Sequence, residues 1–412
     1  MGSGPRTIAI VGAGQAGGQT AYSLRQAGYE GRIVLLGEEP APPYQRPPLS
    51  KAYLKGELEE DRLYLKPIDY YAEHNVELMT DSRVERLDLA AKTVELASGN
   101  RLAWDALVIA TGARPRRLPV PGAQLDGAME LRTLADVDRL RPRMTSGARM
   151  VVVGAGYIGL EAAAVGSQLG LHVTVLEAMP RVLARVAGPE ISNFYAGVHR
   201  AAGVDVRLGA RLEGFEGQTK ITAARLSSGE QIACDLALVG IGVHPNIELA
   251  RDAGLDVGDG IVVGRDHRTS HPDVFAIGDC AFRPLVHYGR EGRLESVHNA
   301  IEGGKIAAAA LLGAPAPAED VPWFWSDQYD LKLQTAGLST GADLRVTRGD
   351  PASRSFAIFY LAEGRVLAVD AVNAAPEYIV GKKLVAAKAS VAPAELADKS
   401  ISMKDISARA LS

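Results

Sequence analysis

The chain has 412 residues, with 45 Lys and Arg against 49 Asp and Glu, a formal net charge of −4. At roughly 100 to 200 residues per domain this length holds two or three domains. A composition of 47% apolar and 23% charged residues is that of an ordinary globular protein and speaks against a basic nucleic-acid binder. The longest uninterrupted apolar run, Ile306 to Leu312, falls far short of the ~20 residues a membrane-spanning helix needs, so no membrane partner is expected.

The first strand is predicted to begin by Ile8, which leaves no room for a signal peptide, and a cytoplasmic location is expected. From Ile8 to Glu39 the chain reads IAIVGAGQAGGQTAYSLRQAGYEGRIVLLGEE, and from Met150 to Met179 it reads MVVVGAGYIGLEAAAVGSQLGLHVTVLEAM. Each copy passes from an apolar, β-rich run through a glycine-rich turn into a helical pattern, then into a second apolar run closed by an acid. Each therefore predicts a β-α-β unit, and continuous apolar strands separated by helices imply parallel sheets covered on both faces. Between the copies lie a Pro-rich segment (Pro40 to Lys51), a hairpin-like alternation near Val84 to Leu102, and a strand over Ala106 to Gly112. Further strands are predicted near Cys234 to Gly242 and near Val274 to Gly278, then a helix from about His298 to Leu312 and a linker over Gly313 to Pro322. Phe356 to Tyr360 and Val366 to Val372 read as a β-hairpin, so an α+β domain is expected after the linker. The predicted class is α/β: two Rossmann-like dinucleotide-binding domains plus a C-terminal α+β domain.

In the first copy Gly12, Gly14 and Gly17 fit G-x-G-x-x-G. The first glycine permits the tight turn, the second lets a pyrophosphate approach the backbone, and the third lets helix and strand pack closely. The phosphates then meet unpaired N–H groups and the positive end of a helix dipole. Glu38, closing the next strand, can accept hydrogen bonds from ribose hydroxyls. Gly154, Gly156, Gly159 and Glu177 repeat the arrangement, with Tyr157 and Ile158 inside the loop. Two sites mean two nucleotides: a bound flavin at one and a diffusible nicotinamide at the other, a pairing that implies hydride transfer. A carboxylate at Glu177 would repel the 2′-phosphate of NADPH, which predicts NADH as donor. Arg181 and Arg185 follow closely; they either soften that preference, contact pyrophosphate or dress a helix surface. Gly242, ending a later strand, is included in the same nucleotide site.

Ala110-Thr111-Gly112 ends one strand, and Ala276-Ile277-Gly278-Asp279 ends another. With these segments and the two fingerprints, the sequence resembles the pyridine nucleotide-disulfide oxidoreductase superfamily over essentially its whole length. The resemblance implies FAD on the first fingerprint and Asp279 on a ribityl hydroxyl. Its thiol-dependent members need paired cysteines beside the flavin, whereas Cys234 and Cys280 stand far apart and read as small buried hydrophobes. The segments Arg46-Pro-Pro-Leu-Ser-Lys51, Gly156-Tyr-Ile-Gly-Leu-Glu161, Glu295-Ser-Val297 and Trp323-Phe-Trp-Ser-Asp-Gln-Tyr329 resemble the ferredoxin reductases of bacterial oxygenase systems, the putidaredoxin reductase-like group. Such proteins take two electrons from NADH and pass them singly to a 2Fe-2S ferredoxin, which feeds a haem monooxygenase or a Rieske oxygenase. The resemblance puts Ala16, Glu38, Lys51, Val84, Arg132, Asp279 and Val297 in the FAD site; Arg132 and Val84 have no local signature of their own, and Arg46 is counted with the cofactor-binding residues. It also implies a layout of 1–113 and 244–322 for the FAD domain, 114–243 for the NAD domain and 323–412 for the C-terminal domain.

Hydride transfer needs positioned rings and tuned charge, not a nucleophile. Lys51 and Glu161 are expected to form a polar pair beside flavin N5 and the nicotinamide carboxamide, with Lys51 also stabilising negative charge on the reduced ring. The competing structural reading leaves Lys51 solvated after a Ser50 cap and Glu161 complementing a helix N-terminus. The helix that follows Ser296-Val297 could turn its N-terminal amides toward flavin N1 and O2. Trp325 is expected to shield the flavin and Trp323 to pack. No histidine shows metal-ligand spacing, and no metal is expected. Lys66, Arg290, Arg293 and Lys305 are candidates for a basic docking patch, against the default of scattered surface charge. Other readings of the same motifs are an NADH-dependent rubredoxin reductase or diaphorase, and an apoptosis-inducing-factor-like flavoprotein that acts through binding.

Overall fold

The computed structural model describes residues 4–412. The chain forms two compact units, one of Met1–Arg46, Glu59–Arg114 and Val243–Asp320, the other of Pro47–Leu58, Pro115–Gly242 and Val321–Ser412.

The first unit is built on a five-stranded parallel sheet in the order Val274–Ala276, Ala106–Ile109, Thr7–Val11, Arg32–Leu36, Val76–Met79. Alternation along each strand sends side chains to two separate cores. Ile8, Ile10, Ile33 and Leu35 meet Ala21 and Leu24 of the helix Gln15–Gln26 and Ala300 and Ala307 of the helix Val297–Leu311. Ala9, Val11, Val34 and Leu36 meet Val84, Leu87, Val94 and Leu96 on the opposite face. Each such fully buried aliphatic side chain contributes about 1.5–3 kcal/mol relative to exposure, which is why both faces of a parallel sheet must be covered. The two helices approach closely because Gly304 carries no side chain; a Cβ there would lie 3.0 Å from Gln19 Cγ.

The alternation from Val84 to Leu102 is a three-stranded antiparallel meander (Val84–Asp88, Thr93–Leu96, Arg101–Ala103) and not a single hairpin. The strand expected over Ala106 to Gly112 stops at Ile109, since Thr111 and Gly112 bond to Asn246 instead of continuing the ladder. The helix near His298 begins at Val297, where Ser296 Oγ accepts from Asn299 N at 3.1 Å.

In the second unit a parallel sheet runs in the order Asp205–Leu208, His172–Glu177, Arg149–Val153, Leu236–Val239, Ala128–Met129. The helix Tyr157–Gln168 connects the second β-α-β, and a three-stranded antiparallel sheet (Leu212–Gly217, Ile221–Leu226, Gln231–Ala233) packs through Phe215 and Ala224 onto Val151 and Val153. The last ninety residues form an antiparallel five-stranded sheet, Trp323–Gln328, Leu331–Gly337, Arg365–Val372, Ser355–Ala362, Leu344–Asp350, covered by the helices Ala375–Ala386, Pro393–Ala397 and Met403–Ala410. Its central hairpin turns on Glu363 and Gly364, both at positive φ (51° and 76°), as the twist of a two-residue hairpin loop requires. The class is thus α/β, two Rossmann-like domains with a C-terminal α+β domain. Among the described residues no helix is long and apolar enough to cross a membrane.

Candidate functional site

The strand Thr7–Val11 ends on Gly12 and the helix starts at Gln15. Gly12 sits at φ +112°, and a Cβ on it would stand 2.2 Å from the Ala110 carbonyl oxygen; one on Gly17 would stand 2.0 Å from the Gly12 oxygen. Strand, loop and helix therefore close on one another through backbone alone. Gly14 is different, because nothing lies within 4 Å of where its Cβ would be. The second copy repeats the pattern: Gly154 is closed by the Gly240 oxygen at 2.5 Å, Gly159 by the Gly154 oxygen at 2.1 Å, and Gly156 is open. Both helices lack a side-chain cap and any acid in the first turn, whereas the helix Leu134–Leu140 carries a full capping box of Thr133 and Asp136. Uncapped amides and a positive dipole end thus face open space at each loop. That is the geometry a pyrophosphate fits, and a side chain at Gly14 or Gly156 would fill the cradle.

Around the first loop, the Ala110-Thr111-Gly112 turn is fastened by Asn246: Thr111 Oγ1 donates to its carbonyl (2.7 Å), its amide donates to the Thr111 carbonyl (2.8 Å), and its N–H donates to the Gly112 carbonyl (2.9 Å). The Gly278-Asp279 turn lies against Ala16, whose Cβ is 3.0 Å from where a Gly278 Cβ would be. Buried Asn299 donates to the Gly278 carbonyl at 3.2 Å, so it couples that turn to the helix beginning at Val297. Arg46 pairs with Glu39 at 2.6 Å and donates to Tyr44 Oη at 3.0 Å, while exposed Glu38 pairs with Arg83 at 3.1 Å. Val84 points into the sheet core. Asn246 and Asn299 were missed by the sequence reading; single asparagines in loop and helix starts carry no pattern to mark them.

Around the second loop, Glu177 accepts from the N–H groups of Ala155 and Met179, both at 2.8 Å, which sets its carboxylate on the glycine loop. The guanidinium of exposed Arg185 lies 3.2 Å from where a Gly242 Cβ would be. Arg181 turns inward and is held by Ala187 O (2.6 Å), Ser192 Oγ (2.7 Å) and Ala184 O (2.8 Å), so of the two arginines only Arg185 stays exposed. Ile158 is exposed, and the Tyr157 ring stacks obliquely on Phe324 at 4.6 Å.

Lys51, Glu161, Arg132 and Trp325 all belong to the second unit. Lys51 Nζ and Glu161 Oε2 form an ion pair at 2.7 Å with side chains only 16% and 4% exposed. Glu161 also accepts from Ser50 Oγ at 2.5 Å and from Ser326 Oγ at 2.6 Å. Burial pushes the Glu161 carboxyl above the usual range, and Lys51, Ser326 and Ser50 pull against that shift. Lys51 is thus paired and not solvated, and Glu161 turns to Lys51 and two serines. The Arg132 backbone N–H donates to Asp136 at 3.0 Å, and the Trp325 ring lies 5.7 Å from Trp323. Of the basic docking candidates, Arg293 is withdrawn: its side chain is 7% exposed and is held by the Asp259 and Asp279 carbonyls and by Glu295. Lys66 lies over the Tyr22 and Tyr70 rings, Lys305 pairs with Glu302, and Arg290 is exposed. Both cysteines are free and buried; burial raises the Cys234 thiol to about 11 and pushes the Cys280 thiol up as well. Among the described residues no cluster of His, Cys, Asp or Glu could hold a metal ion.

Two dinucleotide loops on two Rossmann-like sheets define a nucleotide-dependent oxidoreductase. Residues 6–304 match the family described as Pyridine nucleotide-disulphide oxidoreductase, and residues 323–407 match the Reductase C-terminal family. The chain belongs to the pyridine nucleotide-disulphide oxidoreductase family. It is 46% identical over 402 residues to the ferredoxin reductase subunit of 5,5'-dehydrodivanillate O-demethylase from Sphingobium sp., covering 97% of this chain and 98% of that one. It is 43% identical over 409 residues to putidaredoxin reductase CamA of Pseudomonas putida, covering 98% and 97%. The reductase in a covalent putidaredoxin reductase–putidaredoxin complex superposes with a TM-score of 0.97 at 43% identity over 99% of both chains.

Proposed function

We propose that this chain is an FAD-dependent NADH:ferredoxin oxidoreductase that delivers electrons to a 2Fe-2S ferredoxin serving a haem monooxygenase or a Rieske oxygenase, in the cytoplasm. One NADH gives up a hydride, two ferredoxins each leave with one electron, and one proton is released. FAD supplies the conversion from a two-electron donor to one-electron acceptors. Residues 1–113 and 244–322 form the FAD domain, with Gly12, Gly14, Ala16, Gly17, Thr111, Asp279 and Val297 around the cofactor. Residues 114–243 form the NAD domain, where Gly154, Gly156, Gly159, Glu177, Arg185 and Gly242 receive NADH. Residues 323–412 form the C-terminal domain, and Lys51 with Glu161 serves hydride transfer by holding charge and orientation.

The observation that carries this reading is the repeated loop with its middle glycine open over an uncapped helix, in a chain whose two cysteines are buried and free. Two nucleotides can bind, and no sulfur relay stands beside them. The test follows NADH oxidation anaerobically by the flavin-loaded protein with a panel of small iron-sulfur proteins, rubredoxin and quinones. Turnover that requires a 2Fe-2S ferredoxin supports the proposal. Equal turnover with quinones and no preference among iron-sulfur partners would overturn it in favour of a diaphorase.

A further inference from the structure

Glu161 is the end of a line of buried polar groups that reaches well beyond Lys51. Ser326 Oγ is 2.6 Å from Glu161 Oε1, Gln328 Nε2 is 3.1 Å from Ser326 Oγ, His199 Nε2 is 2.8 Å from Gln328 Oε1, and Tyr329 Oη is 3.1 Å from His199 Nδ1. Relative exposure is 0% for Ser326, 1% for Gln328 and 0% for His199. Ser326 and Gln328 are two apart on the strand Trp323–Gln328 and so share a face, while His199 comes from the last turn of the helix Pro189–Ala201.

The direction of every bond follows from the charge. A carboxylate only accepts, so the single Ser326 hydroxyl proton goes to Glu161. Ser326 Oγ must then receive from Gln328, which turns the amide so that its oxygen faces His199. That oxygen needs a donor, which puts the His199 proton on Nε2 and leaves Nδ1 to accept from Tyr329. The titrating groups along the line keep these roles: burial lowers the His199 imidazole and raises the Tyr329 phenol to about 12. The phenols of Tyr157 and Tyr195 also feel the Glu161 charge, and burial pushes both up.

We propose that His199 is a positioning residue for the Lys51–Glu161 pair: it anchors a one-directional chain of hydrogen bonds that fixes the Ser326 hydroxyl proton on Glu161 and keeps Glu161 available to orient Lys51. This rests on the reading of that pair as part of the hydride site. If His199 lost its proton donor, Gln328 could rotate its amide and offer an oxygen to Ser326, whose proton would then be shared between two acceptors.

The test uses the flavin-loaded protein with ¹³C-carboxyl-labelled glutamate, the Glu161 signal being identified by its loss in Glu161→Gln. Ser326→Ala should raise the Glu161 titration midpoint by about one pH unit, the weight of one charge-assisted hydrogen bond. His199→Phe should raise it by about half as much, and His199→Gln, which keeps an amide donor at the same place, should restore the wild-type midpoint. The pH profile of flavin reduction by NADH should move with the midpoint in each variant. An unmoved midpoint in His199→Phe, or no restoration in His199→Gln, overturns the chain. Nitrogen shifts of His199 in the wild-type protein test it without any variant: an Nε2-protonated ring supports the chain and an Nδ1-protonated ring refutes it. Should Glu161→Gln reduce its flavin at the wild-type rate, the hydride-site reading falls, while the midpoints still decide whether the chain exists.

Discussion

Replacing Lys51 by Met removes the cation from a pair that is almost completely desolvated. Glu161 keeps two serine donors but loses its counter-charge. Breaking a buried pair costs about 3–5 kcal/mol when the surviving charge has no escape. Here it has one, because the carboxyl can take up a proton. That escape costs about 1.4 kcal/mol per pH unit above a carboxyl's free pKa of ~4.3, so the penalty is capped at ~3.8 kcal/mol at pH 7 and ~1 kcal/mol at pH 5. The sign is fixed by the raised carboxyl: stability tied to a group whose pKa rises on folding is intact at acid pH and lost as pH climbs through the folded value. Lys51→Met pushes that folded value further up and extends the loss to neutral pH. At 2–4 °C per kcal/mol the melting temperature should fall by roughly 10 °C at pH 7 and by only a few degrees at pH 5. Flavin reduction by NADH in stopped-flow should slow by about 10- to 100-fold, the scale of one electrostatic contact at a reacting centre. The double variant Lys51→Met/Glu161→Gln leaves no unpaired charge, so it should recover stability while remaining slow. A melting difference that does not change between pH 5 and 7 would refute the electrostatic argument. Recovery of the flavin reduction rate in the double variant would show that the pair serves only the fold.

The two glycine loops separate folding from binding: Gly14→Val should leave the apoprotein melt unchanged and sharply lower the flavin-to-protein ratio, whereas Gly12→Ala, forced within 2.2 Å of the Ala110 oxygen, should destabilise the apoprotein itself. Gly156→Val should retain flavin and raise KM for NADH at least about tenfold, the effect of filling a phosphate cradle. Glu177→Gln removes the carboxylate charge at nearly constant volume, and the ratio of kcat/KM for NADPH to that for NADH should rise by about tenfold, or ~1.4 kcal/mol. Ferredoxin reduction should fall with added salt while flavin reduction by NADH changes little; Arg290→Ala should flatten that salt slope, and Arg293→Ala should instead loosen the flavin by freeing the Asp279 carbonyl.

The parallel sheets were legible because their strands are uninterrupted apolar runs and each fingerprint glycine is demanded by a backbone contact a few ångströms away. The helix expected from about His298 starts one residue earlier, at Val297. Local logic failed where distant residues intervene: Asn246, well over a hundred positions on, ends the strand at Ile109, and the short third strand Arg101–Ala103, with two of its three residues exposed, gives no periodicity to read. The Lys51–Glu161 pair is expected from the charge that hydride transfer needs, and the structure brings the two side chains to 2.7 Å. Ser326 and His199 were out of reach, since nothing in a serine 165 residues from Glu161, or a histidine at a helix end, announces a hydrogen bond. Arg293 looked like surface charge for the same reason: besides Glu295, its acceptors are the backbone carbonyls of Asp259 and Asp279, invisible in a sequence.

The strand Trp323–Gln328 shows why the C-terminal domain is more than an appended partner surface. Trp323 and Trp325 lie together on one face; Phe324, Ser326 and Gln328 occupy the other and meet Tyr157, Glu161 and His199 in turn. The neighbouring sheet makes a second attachment: Tyr360 Oη accepts from Gly188 N at 3.1 Å and donates to Asp370 at 2.6 Å, where burial raises the Asp370 carboxyl to about 7. Gly188 caps the helix that follows the Arg181 to Ala187 loop, and that loop carries Arg185 to Gly242. One β-sheet therefore holds both the acid that pairs with Lys51 and the loop that presents Arg185. A change in the packing of that sheet should reach both, because Glu161 and Gly188 are buried and a buried polar group that loses a partner bears the full cost of desolvation.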